Sequence, residues 1–325
     1  MRILALIAIA ALGLVAGCAT PVAPDTALMT IDATRLPPAN LSVTIPGLSQ
    51  CTDSGDRTLH LNAQQPVTVL VHGCFSSAGR FRGMAQVLAF HGQQTVCFNY
   101  KDRDSLLVSA AQLTASLAQL ASRLENKHIT VIGHSQGALV ARKALSASTL
   151  DAMADQDAQL RLVTVSGPFG GIAAARHCGS SLLRTLSLGL VGQICQVVTG
   201  DKWSEISATA PFILKPAPLD RRVKDFLKVE TDESGSCRRM SNGSCVESDA
   251  IFSLAEQRNP ALDRDPLINI VAVKAGHVEI VGNNRVGPAK LIAVLQDHGV
   301  IKPTEAERLE KFGLLLTHLY GDTMR

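Results

Sequence analysis

Apolar residues along this chain fall into two textures. Short, near-continuous runs rich in Val, Ile and Leu occupy 67–71, 95–98, 129–132, 162–165, 227–231 and 268–273. Runs of that length without strict alternation predict strands covered on both faces. Between them apolar residues recur at steps of three and four, most clearly Leu106, Ala110, Leu113, Leu117, Leu120 and Leu124, which predicts an amphipathic helix packed on a core. Strands alternating with helices imply an α/β fold with a mostly parallel, doubly wound sheet. The interval 170–226 breaks the rhythm and is too long for a simple connection. It carries Leu182, Leu183, Leu186, Leu188, Leu190, Val191 and the single Trp203, and predicts a helical cap insertion.

The most apolar run, residues 3–15, is shorter than the roughly 20 residues a membrane-spanning helix needs. Arg2 precedes it and Ala16 and Gly17 follow it, the layout of an export signal. The stretch Val15-Ala16-Gly17-Cys18 resembles the lipobox of bacterial lipoproteins. That resemblance implies removal of a signal peptide, residues 1–17, and acylation of Cys18, the new first residue. Two or more acyl chains hold a protein stably at a bilayer, whereas one binds marginally. Ala19, in place of an Asp, implies by the same resemblance the outer membrane of a Gram-negative bacterium. Residues 18–40, with Pro21, Pro24, Pro37 and Pro38, read as a tether, leaving 41–325 as the folded domain.

Composition narrows the possibilities. An apolar fraction of 46% over 325 residues suits a packed core and excludes a disordered chain or fibre. Thirty-one basic against 28 acidic side chains leave a net charge of +3, which provides no basic footprint for nucleic acid. Beyond Cys18 the cysteines are Cys51, Cys74, Cys97, Cys178, Cys195, Cys237 and Cys245, and export permits disulfides. Cys237 and Cys245 flank a Gly/Asn/Ser-rich turn and suggest a stapled hairpin; Cys178 with Cys195 suggests a second staple. One thiol is left over, with Cys74 or Cys97 expected as a small apolar core residue. Zinc-ligand spacing is absent from the sequence.

The run 129–132 leads into Gly133-His134-Ser135-Gln136-Gly137 and then into the helix-forming stretch 138–145. A strand, a sharp turn and a helix would hold Ser135 strained with its hydroxyl exposed, the two glycines avoiding collision with strand and helix. A serine nucleophile needs a base, and the base an orienting acceptor. His277 follows the last strand by Lys274-Ala275-Gly276 and so sits at the carboxyl edge of the sheet, as the serine turn does. His298 and His318 lie within helical patterns. For the acid, Asp249 is the expectation, beyond the hairpin and shortly before the last strand, with Asp232 and Glu247 as alternates. The oxyanion donors are expected from the backbone N–H of Gln136 and of Cys74, in the loop His72-Gly73-Cys74-Phe75. His72 is expected to fix its loop and His134 to flank the turn without reacting; the charged run 101–104 is expected to form a local ion-pair or loop network, with contact of Asp102 to substrate as the alternative.

With these motifs the chain resembles the α/β-hydrolase family, and within it bacterial lipases and esterases, over about residues 66–300. The resemblance implies an eight-stranded sheet, a Ser135–His277–acid triad, a small-molecule or lipid ester substrate and no metal or organic cofactor. The same machinery serves thioesterases and acyltransferases, and a catalytically silent, lipid-anchored binding module keeps the same fold. Replacing Cys18 with Ser is expected to move the protein from the membrane fraction to the soluble fraction on cell fractionation.

Overall fold

The computed structural model describes residues 35–150, 157–173, 200–283 and 285–321. The signal segment, Cys18, most of the tether, the apolar run 182–191 and the Cys178–Cys195 pair lie outside the described residues. The strands, in chain order, are β1 (Leu41–Thr44), β2 (Leu48–Ser49), β3 (Thr58–Leu61), β4 (Val67–Val71), β5 (Gln94–Phe98), β6 (His128–His134), β7 (Gln159–Val165), β8 (Val223–Asp232), β9 (Cys237–Ser241), β10 (Ser244–Ser248) and β11 (Ile268–Lys274). Among the described residues seven of them form the central sheet, in the order β11-β8-β7-β6-β4-β5-β2, where the family resemblance implies eight. Its pairings are parallel except that of β2 with β5. All six strands expected from apolar runs are present.

The centre of the sheet is as apolar as the sequence suggests: every residue of β4 is buried. The edge strand β11 departs from the expectation of two covered faces, with Ile270 40% exposed, because it has only β8 as a neighbour. The longer helices are α1 (Arg82–Phe90), α2 (Leu106–Arg123), α3 (Gln136–Ala144), α4 (Ala289–Asp297) and α5 (Leu309–Tyr320). In α2 the expected stripe is the core-facing side, with Leu106, Ala110, Leu113, Leu117 and Leu120 all buried. Ser105 caps its first turn by accepting from the N–H groups of Leu107 and Val108, satisfying donors the helix leaves open.

Parallel register places the ends of β4, β6, β8 and β11 along one edge, since Val71 pairs with Gly133 and Lys274 with Asp232. Loops that leave this edge carry the chemistry. The chain departs from the sheet after β7 and returns at β8; the described part of that excursion holds a 3₁₀ turn, Asp201–Ser204, and a helical turn, Pro211–Leu214. The expected hairpin is β9–β10, closed by Cys237–Cys245. Cys97 is not an unpaired core residue: it is bonded to Cys51 across 46 positions, tying the loop after β2 to β5. Among the described residues Cys74 is the free thiol. Replacing both Cys51 and Cys97 with Ser is expected to lower stability by about 2–4 kcal/mol, through the chain entropy regained by the unfolded state. Urea unfolding of the double variant against the unsubstituted protein checks this.

Candidate active site

Ser135 stands between β6 and α3 with φ 57° and ψ −125°, a conformation that costs a non-glycine residue about 1–3 kcal/mol and persists only where its surroundings enforce it. They do so here. The Ser135 N–H donates to Val165 O at 2.8 Å, and a Cβ on Gly133 would lie within contact distance of Gly137 O and 2.8 Å from Ala138 Cα. The turn has no room for a larger residue. Gly73 brings the loop after β4 against the nucleophile, since a Cβ there would lie 2.9 Å from Ser135 Cβ.

His277 arrives from the loop after β11 and is 6% exposed. Two neighbours bind it to the serine turn. His134, adjacent to Ser135, donates from Nε2 to His277 O at 2.9 Å, and the two rings lie 4.8 Å apart. Phe252 packs edge-on against the His277 ring, 4.9 Å between centroids. No hydrogen bond joins Ser135 Oγ to His277 Nε2 in this unliganded arrangement, and such bonds commonly tighten only with substrate in place.

The carboxylate on His277 is Glu233, not Asp249. His277 Nδ1 donates to Glu233 Oε1 at 2.7 Å, which leaves Nε2 as the nitrogen with a lone pair. Glu233 is fully enclosed, with a side-chain exposure of 0%, and four donors compensate its desolvation. Thr231 Oγ1 reaches Oε1 at 3.0 Å, and the N–H groups of Ile251 and Phe252 reach Oε2 at 2.6 and 2.7 Å. Such a set makes a buried carboxylate tolerable. Thr231 is itself held by Ser166, hydroxyl to hydroxyl at 2.7 Å.

Asp249 is buried, at 2%, but it faces backbone and Arg238 rather than the imidazole. It accepts from Val278 N and Glu279 N and from Arg238 Nη2 at 2.8 Å, and its own carbonyl takes the His277 N–H at 2.9 Å. It fixes the backbone around His277. The alternates point elsewhere. Asp232 lies on the opposite side of the strand end from Thr231 and Glu233, as the two-residue period requires. There it meets Lys274 Nζ at 3.0 Å, and hydrogen bonds from Ser234 and Lys274 lower its pKa to about 2. Glu247 pairs with Arg238 on the hairpin at 3.3 Å.

Of the two expected oxyanion residues, Gln136 follows Ser135 directly and Cys74 follows Gly73 in the loop that lies against Ser135. Gln136 opens α3, so its N–H has no helical acceptor and lies at the positive end of the helix dipole. Cys74 follows Gly73 in the loop held by His72, which donates from Nδ1 to Gly73 O at 2.9 Å and stacks on Tyr100 at 4.5 Å. The Tyr100 hydroxyl in turn donates to His72 O at 2.7 Å. Burial pushes the pKa values of His72 and His134 down, that of His134 well below the usual histidine range. Both imidazoles are therefore neutral at pH 7; His72 holds its loop and His134 flanks the turn, as expected. Asp102 accepts the Phe75 N–H at 2.5 Å, fixing the residue after Cys74. A separate cavity of about 310 Å³ runs along α3 between Leu139, Phe169, Phe212 and Leu262; it does not include Ser135, His277 or Glu233.

A parallel sheet with a strained serine between strand and helix, and a histidine and acid from later strand ends, is the architecture of an α/β-hydrolase, and the chain has that fold. Residues 66–212, less than half of it, match the family model described as palmitoyl protein thioesterase. Among solved structures, Bacillus licheniformis lipase BlEst2 in its propeptide form is similar with a TM-score of 0.53 and 14% identity, covering 79% of this chain and 54% of that one. The mature form of that lipase gives 0.48 and 15%, covering 77% and 96%. Pyrococcus furiosus esterase Pf2001 gives 0.46 and 14%, covering 93% and 100%. No curated protein matches the sequence.

Replacing Glu233 with Gln is expected to reduce kcat by about 10³–10⁴-fold, as loss of a triad carboxylate does. Asp249→Asn, which keeps an acceptor for the backbone, should lose less than about tenfold. Steady-state hydrolysis of p-nitrophenyl esters by the two variants compares them directly, and the reverse order would return the role to Asp249.

Proposed function

We propose that this protein is a serine ester hydrolase acting through Ser135, His277 and Glu233. The observation that carries the reading is the His277–Glu233 bond beside a strained serine: it directs the free imidazole nitrogen away from the acid and keeps the base in one tautomer. Ser135 Oγ attacks the substrate carbonyl carbon as His277 Nε2 takes the hydroxyl proton. The resulting imidazolium is stabilised by Glu233, and the oxyanion by the N–H groups of Gln136 and Cys74. Collapse expels the alcohol, which takes the proton from His277. Water then enters, gives its proton to His277, and releases the acid and Ser135 by the same steps in reverse.

A carboxylic ester with an apolar acyl chain is the substrate class. Its support is the apolar composition of 182–191, in the excursion that leaves the sheet beside the site. A thioester is the second reading, favoured by the match of residues 66–212 to the palmitoyl protein thioesterase model. The leaving group alone separates the two, since nucleophile, base and oxyanion donors are shared. Placement at a membrane is part of the proposal. The lipobox-like stretch ending at Cys18 supports an acyl anchor at the outer membrane, where lipid esters or acylated proteins would be within reach.

Covalent labelling by a fluorophosphonate probe is expected in the unsubstituted protein and lost in Ser135→Ala. A matched panel of p-nitrophenyl esters and acyl thioesters should then show kcat/KM rising with acyl length. Preference for short polar esters would overturn the apolar substrate class, and unchanged labelling of Ser135→Ala would overturn the mechanism.

A further inference from the structure

Lys202 is a lysine only 1% exposed, and the chemistry derived above does not use it. It is carried by the turn Asp201–Ser204 in the excursion between β7 and β8, not by the sheet. Its Nζ donates to Cys74 Sγ at 2.9 Å, to Gln136 Oε1 at 2.8 Å and to the carbonyl of Asp102. An ammonium has three donors, and these acceptors use all of them. Two belong to the residues whose backbone N–H groups are assigned to the oxyanion. The third residue, Asp102, takes the Phe75 N–H on its carboxylate and the Gln136 side-chain amide on its carbonyl at 2.9 Å. One buried cation therefore ties together both loops that form the oxyanion site.

The turn is anchored on its far side as well. Glu205 accepts from the Ser105 hydroxyl and the Leu106 N–H, each at 2.5 Å, at the start of α2. The charge of Lys202 is partly offset by Asp102, whose carboxylate lies 3.8 Å away and is 20% exposed. The Cys74 thiol does not offset it: burial raises its pKa and keeps it neutral at pH 7. A partly compensated ammonium in a low-dielectric setting favours negative charge developing nearby.

We propose that Lys202 is a positioning residue for the reaction at Ser135: the turn Asp201–Ser204 delivers it to hold Cys74 and Gln136 in register as the two oxyanion donors. The proposal rests on the serine-hydrolase reading. It makes the oxyanion site a composite of sheet-edge loops and excursion, complete only when the turn is docked.

The test compares Lys202→Met, Lys202→Arg and, as a control in the same turn that keeps an acceptor for Leu106 and leaves Lys202 in place, Glu205→Gln. For each, kcat, KM, the thermal midpoint and the inhibition constant of an alkyl boronic acid, which forms a tetrahedral adduct with the serine, are measured. In Lys202→Met, kcat should fall about 10–100-fold, below the loss from deleting an oxyanion donor outright. KM should stay within about threefold, and the boronate should weaken in parallel with kcat. Lys202→Arg should recover part of kcat, and Glu205→Gln should keep it within about twofold. A Lys202→Met enzyme turning over within twofold of the unsubstituted protein overturns the proposal, as do losses in Lys202→Met and Glu205→Gln that simply follow the thermal midpoint. If the unsubstituted protein is labelled at Ser135 by fluorophosphonate, those results leave the hydrolase reading standing. An unlabelled protein overturns both.

Discussion

The reversal of the chain at Ser135 is the constraint on which the site depends. A residue at φ 57° between a strand and a helix is unfavourable by itself, and three neighbours hold it there. β7 takes its N–H through Val165 O, β4 presses its outgoing loop against the serine through Gly73, and α3 packs back on β6 through Gly133 and Gly137. Because those neighbours are parallel strands in register, the geometry follows from the buried sheet rather than from a surface loop. The reversal sets Ser135, 7% exposed, against the loop after β4 and, one residue on, places the first N–H of α3 beside it. Nucleophile and oxyanion donor thus come from a single turn, and the remaining groups need only arrive at the same edge.

Burial divides the ionisable groups of this edge by role. His72, His134 and Cys74 are each moved by desolvation toward the neutral form, so none competes with His277 for the serine's proton or adds charge beside it. Glu233 is enclosed more completely than any of them, and its four donors supply what water would have given. The consequence is a site in which His277 has a fixed tautomer and neutral imidazole neighbours. Lys202 brings a cation to the side of the oxyanion donors, while on the side of the base Arg238 is paired with Asp249.

Much of this was legible in the sequence because the buried sheet imposes it. Apolar runs located all six expected strands, and the Leu106 to Leu124 stripe located the long helix. The glycines around Ser135 announced the turn, since few other side chains tolerate that contact. The short loop after β11 placed His277, and the turn residues between Cys237 and Cys245 placed the hairpin. What was not legible is what depends on side-chain direction at a strand end. Asp232 and Glu233 are adjacent, and only the face-by-face alternation of β8, with Thr231 turned inward, shows that Glu233 shares the buried side. That signal was present in the sequence, but it needs the strand's end to be known to one residue. The Cys51–Cys97 bond and the reach of Lys202 to Cys74 join segments far apart in the chain, and no local pattern reports such pairings.

Two buried carboxylates, Glu233 and Asp249, divide the work around His277. The hairpin β9–β10 carries the chain away from the end of β8 and returns it so that residues 249–252 lie against both Glu233 and the His277 loop. Asp249 takes the N–H groups just after His277, and Arg238, from the same hairpin, neutralises it. Glu233 takes the imidazole and the N–H groups of Ile251 and Phe252. The segment that follows β10 is therefore both a donor to the acid and a clamp on the base. An Asp at 233 would be shorter by one methylene and would have to give up either the imidazole on Oε1 or the backbone donors on Oε2. A Glu spans both, which explains why this chain orients its histidine with the longer acid while the aspartate of the pair holds the backbone.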